Sequence, residues 1–215
     1  MRSTIRTAEH ERRSILGRVA VLGALAAMLM SVIPPGNAAA ADRTQVEIVN
    51  TFSHLRADVM WASQSAFQQV FLWSDNTSAS QEFDLVDSGN GFFRIRARHS
   101  GQCLMLDWRS GFYGNGTPII QYPYCNAGYA PAEWQQRTLP ATDDCTDNIC
   151  TRSSGPDLTV LVNRATGRCL DSDNGAGGAP RVQAVLQQWD CVTSTGVWNI
   201  GNQAWDILRP GSHPL

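Results

Sequence analysis

Hydrophobic positions fall into two patterns along the chain. One is an unbroken apolar run over residues 19–33, ended by Pro34-Pro35-Gly36. The other begins near residue 45. It is a series of short bursts rich in β-branched and aromatic residues, separated by Gly, Pro, Asn, Asp and Ser. Val46-Glu47-Ile48-Val49 is one burst, and 159–163, 169–172, 184–189 and 204–208 are four more. Short bursts bounded by turn formers read as strands. Beyond residue 42 no stretch shows the 3.6-residue apolar period of an amphipathic helix. An all-β fold is predicted.

The apolar run belongs to a different kind of segment. Residues 1–18 carry five arginines, and Asn37-Ala38-Ala39-Ala40-Ala41 follows the proline break. A charged start, a short apolar stretch and a small-residue cleavage site read as a secretory signal peptide over residues 1–41. The run of 15 residues is shorter than the ~20 needed to cross a bilayer. Arg12-Arg13-Ser14-Ile15-Leu16 also resembles a twin-arginine export signal. The expectation is a secreted, extracellular chain with no membrane span.

Spacing organises the remainder. Cys103 and Cys125 stand 22 positions apart, and so do Cys169 and Cys191. Ser100-Gly101-Gln102-Cys103-Leu104 parallels Thr166-Gly167-Arg168-Cys169-Leu170. Asp107 and Asp173 follow the first cysteines by four positions, and Gln121 and Gln187 precede the second ones by four. Trp134 and Trp205 close the two copies. Such self-similarity marks a repeat architecture. An earlier copy is degenerate: Asp58 stands at the offset of Asp171, and Phe71-Leu72-Trp73-Ser74-Asp75 matches Gln187-Gln188-Trp189-Asp190-Cys191. Gln81-Glu82-Phe83 matches Gln203-Ala204-Trp205, while Arg56 and Asp75 occupy the cysteine places. An ion pair between these two is predicted. Repeats are expected over about 45–87, 92–140 and 158–208, with a tail over 209–215. Four short strands per copy suggest a closed barrel capped by hairpins.

All six cysteines, Cys103, Cys125, Cys145, Cys150, Cys169 and Cys191, lie beyond the leader. An even number in an exported chain implies disulfides. Cys145 and Cys150 are close enough to clip a hairpin between the second and third copies; the alternative is pairing with the repeat cysteines.

Charge and composition remove several functions. The chain has 17 basic and 19 acidic residues; without the leader's five arginines and two glutamates the balance is 12 against 17. A phosphate-backbone binder needs a basic patch, so nucleic acid is not an expected partner. There is no lysine, which excludes Schiff-base chemistry and a Walker-type phosphate lysine. His54, His99 and His213 lack metal-ligand spacing and no C-x-x-C pair exists, so no metal or other cofactor is expected.

The repeats resemble the ricin B-type lectins, β-trefoils with a Q-x-W signature in each copy. Gln203-Ala204-Trp205 fits in full, Gln81-Glu82-Phe83 with an aromatic change, and Ala132-Glu133-Trp134 by its tryptophan. The resemblance covers roughly residues 45–208. It implies a β-trefoil of three four-stranded repeats over 42–208, with Phe83, Trp134 and Trp205 as core anchors. It also implies a sugar site within a repeat. There an aspartate accepts hydrogen bonds from adjacent hydroxyls, an aromatic ring stacks on the sugar's apolar face, and amides complete the set. The third copy matches throughout, with Asp171, Gln187, Trp189, Asn202 and Gln203. The bland alternatives are that Asp171 caps a turn and Trp189 fills core. The first copy keeps Asp58, Trp73 and Gln81 but has Phe71 and Ser80 for the other two. The second has Met105 at the aspartate position, Pro123 at the aromatic position and Pro131-Ala132 for Asn-Gln. Its site is expected to be lost, leaving Asp107 as a turn residue and Tyr122 and Tyr124 as flanking aromatics.

The expected function is non-catalytic carbohydrate binding, mainly through the third repeat, with a galactose-type glycan implied by the resemblance. Two rivals differ in class. Asp171 with Asp173, or Asp143 with Asp144, are nominal carboxylate pairs for glycoside hydrolysis, and His99-Ser100 lacks a nucleophile elbow. A secreted interaction or targeting subunit, toxin-associated or inhibitory, would keep the fold and need less of the sugar sites.

Overall fold

The computed structural model describes residues 42–111, 113–139, 143–146, 149–152, 157–174, 179–192 and 198–212, the stretches 143–146 and 149–152 by their backbone alone. The expected leader and residues 175–178 and 213–215 lie outside the described residues.

The described chain is all-β apart from single 3-10 turns. Its strands are β1 (Arg43–Asn50), β2 (Arg56–Val59), β3 (Val70–Trp73), β4 (Phe83–Gly89), β5 (Phe92–Ala97), β6 (Cys103–Leu106) and β7 (Thr117–Tyr122). They continue as β8 (Glu133–Leu139), β9 (Asp143–Thr146), β10 (Ile149–Arg152), β11 (Leu158–Asn163), β12 (Cys169–Ser172), β13 (Leu186–Trp189) and β14 (Trp205–Leu208). The third-copy strands fall within two residues of the bursts read from sequence.

Every pairing is antiparallel. β1 pairs with β4, β4 with β5, β5 with β8 and β8 with β11. β14 returns to pair with β1, so the first and last strands of the fold meet. Three hairpins project from this ring, β2–β3, β6–β7 and β12–β13. A fourth, β9–β10, sets Cys145 opposite Cys150 in its backbone register. Their side chains lie outside the described residues.

Three large rings fill the centre. Phe83, Trp134 and Trp205 are completely buried, in one cluster with Ile48, Leu72, Leu85, Ile95, Leu104 and Leu170. A buried indole N–H needs an acceptor. Trp134 Nε1 donates to the Leu104 carbonyl at 3.2 Å, and Trp205 Nε1 donates to the equivalent Leu170 carbonyl at 3.0 Å. Phe83 has no ring donor and fills the corresponding place in the first copy.

Covalent and ionic clasps hold the hairpins to the barrel. Cys103–Cys125 and Cys169–Cys191 are disulfides, which leaves no repeat cysteine for Cys145 or Cys150. Each closes a 22-residue span, worth roughly 3 kcal/mol in the chain-entropy account. In the first copy Arg56 Nη2 lies 3.0 Å from Asp75 Oδ2, the ion pair expected where the cysteines are missing. Sequence reading missed a third member: Arg56 Nε also donates to Glu47 Oε2 at 3.2 Å. Glu47 and Arg56 are both buried, so neither charge is supportable without the other.

Candidate functional site

In the third hairpin, β12 and β13 set Asp171 directly opposite Gln187. Asp171 Oδ1 accepts from Gln187 Nε2 at 3.0 Å, and Oδ2 accepts from Gln203 Nε2 at 3.0 Å. Gln203 Nε2 also donates to the Asp190 carbonyl at 3.1 Å, and its Oε1 accepts the Val192 N–H at 2.9 Å. The buried glutamine thus ties the hairpin end to the carboxylate. Asp171 sits within a strand at 4% exposure, so it is not a turn cap. Burial pushes its pKa up to about 6 against the pull of the two amides, and Asp173 nearby adds to the rise.

Trp189 is two residues from Gln187 on β13, on the same face, and is 44% exposed. It is therefore not core. A bracket holds the hairpin end beneath it: Arg168 Nε lies 2.9 Å from Asp190 Oδ1, and Asn115 Nδ2 donates to Asp190 Oδ2 at 2.9 Å. Gly116, at φ +85°, passes beside the ring; a Cβ there would meet Trp189 at 3.9 Å. Asn202 bonds with Asn174, which in turn accepts from Ser172 Oγ at 3.2 Å. It stands beside the carboxylate cage rather than inside it.

The first hairpin repeats the cage. Gln81 Nε2 donates to Asp58 Oδ2 and to the Ser74 carbonyl, both at 2.9 Å, and Gln81 Oε1 accepts the Asn76 N–H at 3.2 Å. These are the Gln203 contacts, partner for partner. Phe71 stands opposite Asp58 in the place of Gln187, and Asn76 Nδ2 approaches Asp58 Oδ2 at 3.4 Å. Burial also raises the Asp58 pKa, opposed by hydrogen bonds from Ser80, Gln81 and Asn76. Asp58, Trp61, Ala62, Phe71, Trp73 and Asn76 line a cavity of about 220 Å³. Sequence reading did not single out Trp61, whose backbone lies at φ +63°. Residue type alone carries no signal for that.

The second hairpin corrects one reading. Cys103 is opposite Tyr122, just as Cys169 is opposite Trp189. Tyr122, not Pro123, therefore holds the aromatic position. Likewise Gln121 corresponds to Gln188, not Gln187: Ser100 Oγ donates to Gln121 Oε1 and Thr166 Oγ1 donates to Gln188 Oε1. The equal cysteine spacing hides one residue fewer before the aromatic and one more after it, and a one-residue slip exchanges faces of a strand. Met105, fully buried, replaces the aspartate. Above it Phe67, Trp108 and Tyr122 pack on one another at centroid distances of 4.7–5.6 Å, and Arg109 caps Phe67 at 4.6 Å. Asp107 accepts from the Arg109 backbone and guanidinium, as a turn residue does.

Among the described residues no group of three His, Cys, Asp or Glu side chains could hold a metal. None of their helices is long and apolar enough to cross a membrane.

This architecture is β-trefoil-like. Of solved structures, the designed threefold-symmetric protein ThreeFoil is 26% identical, with a TM-score of 0.55 over 76% of this chain and 96% of its own. An exo-β-1,3-galactanase from Clostridium thermocellum is 25% identical, with a TM-score of 0.55 over 77% of this chain. This chain spans only 30% of that enzyme. A ricin B-like lectin of Macrolepiota procera, solved with lactose, shares the fold at 16% identity and a TM-score of 0.53, over 78% of this chain and 96% of its own. More particularly, residues 37–122 match the family described as ricin-type β-trefoil lectin domain-like. No curated protein sequence matches the chain.

Proposed function

We propose that the chain is an exported β-trefoil of three four-stranded repeats that binds carbohydrate without catalysis. The binding groups would be Asp171, Gln187, Trp189, Asn202 and Gln203 in the third repeat, and Asp58, Trp73 and Gln81 in the first. The observation that carries this reading is the duplicated cage. Two buried carboxylates, in hairpins far apart in sequence, are oriented by equivalent glutamines beside an accessible indole. A structural carboxylate would be cheaper as an apolar residue, as Met105 shows in the second repeat. Held acceptors next to a flat ring suit a ligand with clustered hydroxyls and a C–H face.

The reading is supported by the family match, which covers the first repeat, and by the lectin neighbours. The sugar is proposed to be galactose-type. A glycan array followed by calorimetric titration tests it. Asp171→Ala is expected to lower affinity for the best-bound glycan by tenfold or more while thermal unfolding stays cooperative. Unchanged affinity would remove the third repeat from the proposal; no binding to any glycan would remove the function.

A further inference from the structure

We infer that Trp61 is a second aromatic platform of the first-repeat pocket, and that this pocket therefore takes a glycan of at least two rings rather than a single sugar. The inference rests on the carbohydrate reading and adds to it a residue and a ligand length.

Three observations carry it. First, Trp61 is 80% exposed, the most exposed large hydrophobic side chain among the described residues, yet it lines the same cavity as Asp58, Phe71 and Trp73. Water contact over most of an indole is unfavourable, and nothing among the described residues covers it.

Second, the backbone bearing it is held in a costly conformation. Trp61 and Ala62 lie at φ +63° and +48°, the left-handed region that disfavours side chains with a Cβ. Such strain survives only where neighbours over-determine it. They do so here. Met60 N–H donates to the Gln69 carbonyl at 3.0 Å. From the second repeat, buried Gln121 donates through Nε2 to the carbonyls of Ser63 and Ser65, both at 2.7 Å, and Gln102 donates to that of Gln64 at 2.7 Å. The turn is anchored at both sides while its indole is left free. A ring fixed in place before binding loses little entropy when a ligand stacks on it.

Third, the two indoles sit at opposite ends of the hairpin. Trp73 is opposite Arg56, the last ladder pair toward the other end is Val59 with Val70, and Trp61 lies beyond it. From Arg56 to Val59 is three strand steps, ~10 Å, with Trp61 two residues further on, so the two attachment points lie further apart along the hairpin than one six-membered ring. Asp58 falls between the two platforms. A sugar stacked on Trp73 and bonded to Asp58 would leave Trp61 to its neighbour in the glycan.

The test uses the full mature chain carrying Asp171→Ala and Trp189→Ala, so that only the first pocket reports. Methyl β-pyranosides of galactose, glucose, N-acetylglucosamine and xylose are titrated against their β-linked disaccharides. In this background Trp61→Ala is expected to weaken the best disaccharide roughly tenfold and its monosaccharide less than twofold, with Trp61→Phe recovering most of the loss. Equal losses for one and two rings, or no loss for either, would overturn the role of Trp61 while leaving sugar binding in place. No binding by the background chain, with binding by the unmodified one, would remove both the pocket and the inference.

Discussion

Asp171 is caught between folding and binding, and pH separates the two. Its folded-state pKa of about 6 lies roughly two units above an ordinary aspartate's ~3.9. An acid with a raised folded-state pKa holds its proton more tightly folded than unfolded. Its contribution to stability is therefore greatest below pH 4 and is lost as pH rises from about 4 to about 6. At 1.36 kcal/mol per unit, the loss is about 3 kcal/mol. Ligand binding should move the opposite way, because hydroxyl donors favour the ionised acceptor. The perturbation is Asp171→Asn, which removes the titration but keeps the shape. The assay is urea unfolding followed by tryptophan fluorescence at pH 4, 5, 6 and 7. The unmodified chain should lose about 2 kcal/mol more than the variant between the ends of that range, since at pH 4 the unfolded acid is already partly ionised. Any fixed penalty from facing an amide toward Gln187 or Gln203 shifts the variant's curve without tilting it. Asp58 and Glu47, whose pKa values are also raised by burial, titrate in both proteins and cancel. Parallel profiles would refute the reasoning. Glycan affinity of the unmodified chain should rise across the same window.

Two substitutions test the scaffolding of the pockets. Arg56→Met strands the buried Glu47 carboxylate and is expected to cost about 3–5 kcal/mol in chemical denaturation, whereas a surface ion pair would cost under ~1 kcal/mol. Gln203→Ala removes both donors at Asp171 and Asp190 and the acceptor of Val192 N–H. A loss of about 1–3 kcal/mol is expected in the same measurement, because buried Asp171 keeps Gln187 on Oδ1 but loses the Gln203 donor on Oδ2.

Much of the fold is visible in the chain because strands alternate with turn formers and the copies share spacing. The ion pair of Arg56 with Asp75 is legible for the same reason: opposite charges stand where two equivalent positions hold cysteines. Glu47 is not, since it reaches Arg56 across β1 and β2 from an otherwise apolar burst. The Tyr122 position is hidden because cysteine spacing measures chain length between clasps and not strand register. The two copies distribute the same length differently. Trp61 left no trace for a related reason. Exposure and a left-handed backbone are decided by Gln102 and Gln121, some 40–60 residues away in sequence. The carboxylate cages lie between these cases: their members are readable by offset, but which amide meets which oxygen depends on the fold.

The Arg56–Glu47–Asp75 cluster divides the molecule by chemistry of environment. A thiol reductant opens the clasps of the second and third hairpins and leaves the first untouched. Salt reaches its Arg56–Glu47 part weakly as well, because buried charges are poorly screened, while Asp75 is exposed. In a reducing medium the third-repeat site would lose the bond that anchors Cys191, close in sequence to Trp189 and Asp190, while the first kept its Arg56 clasp. One chain thus carries one candidate site whose clasp reduction breaks and another whose clasp reduction leaves in place.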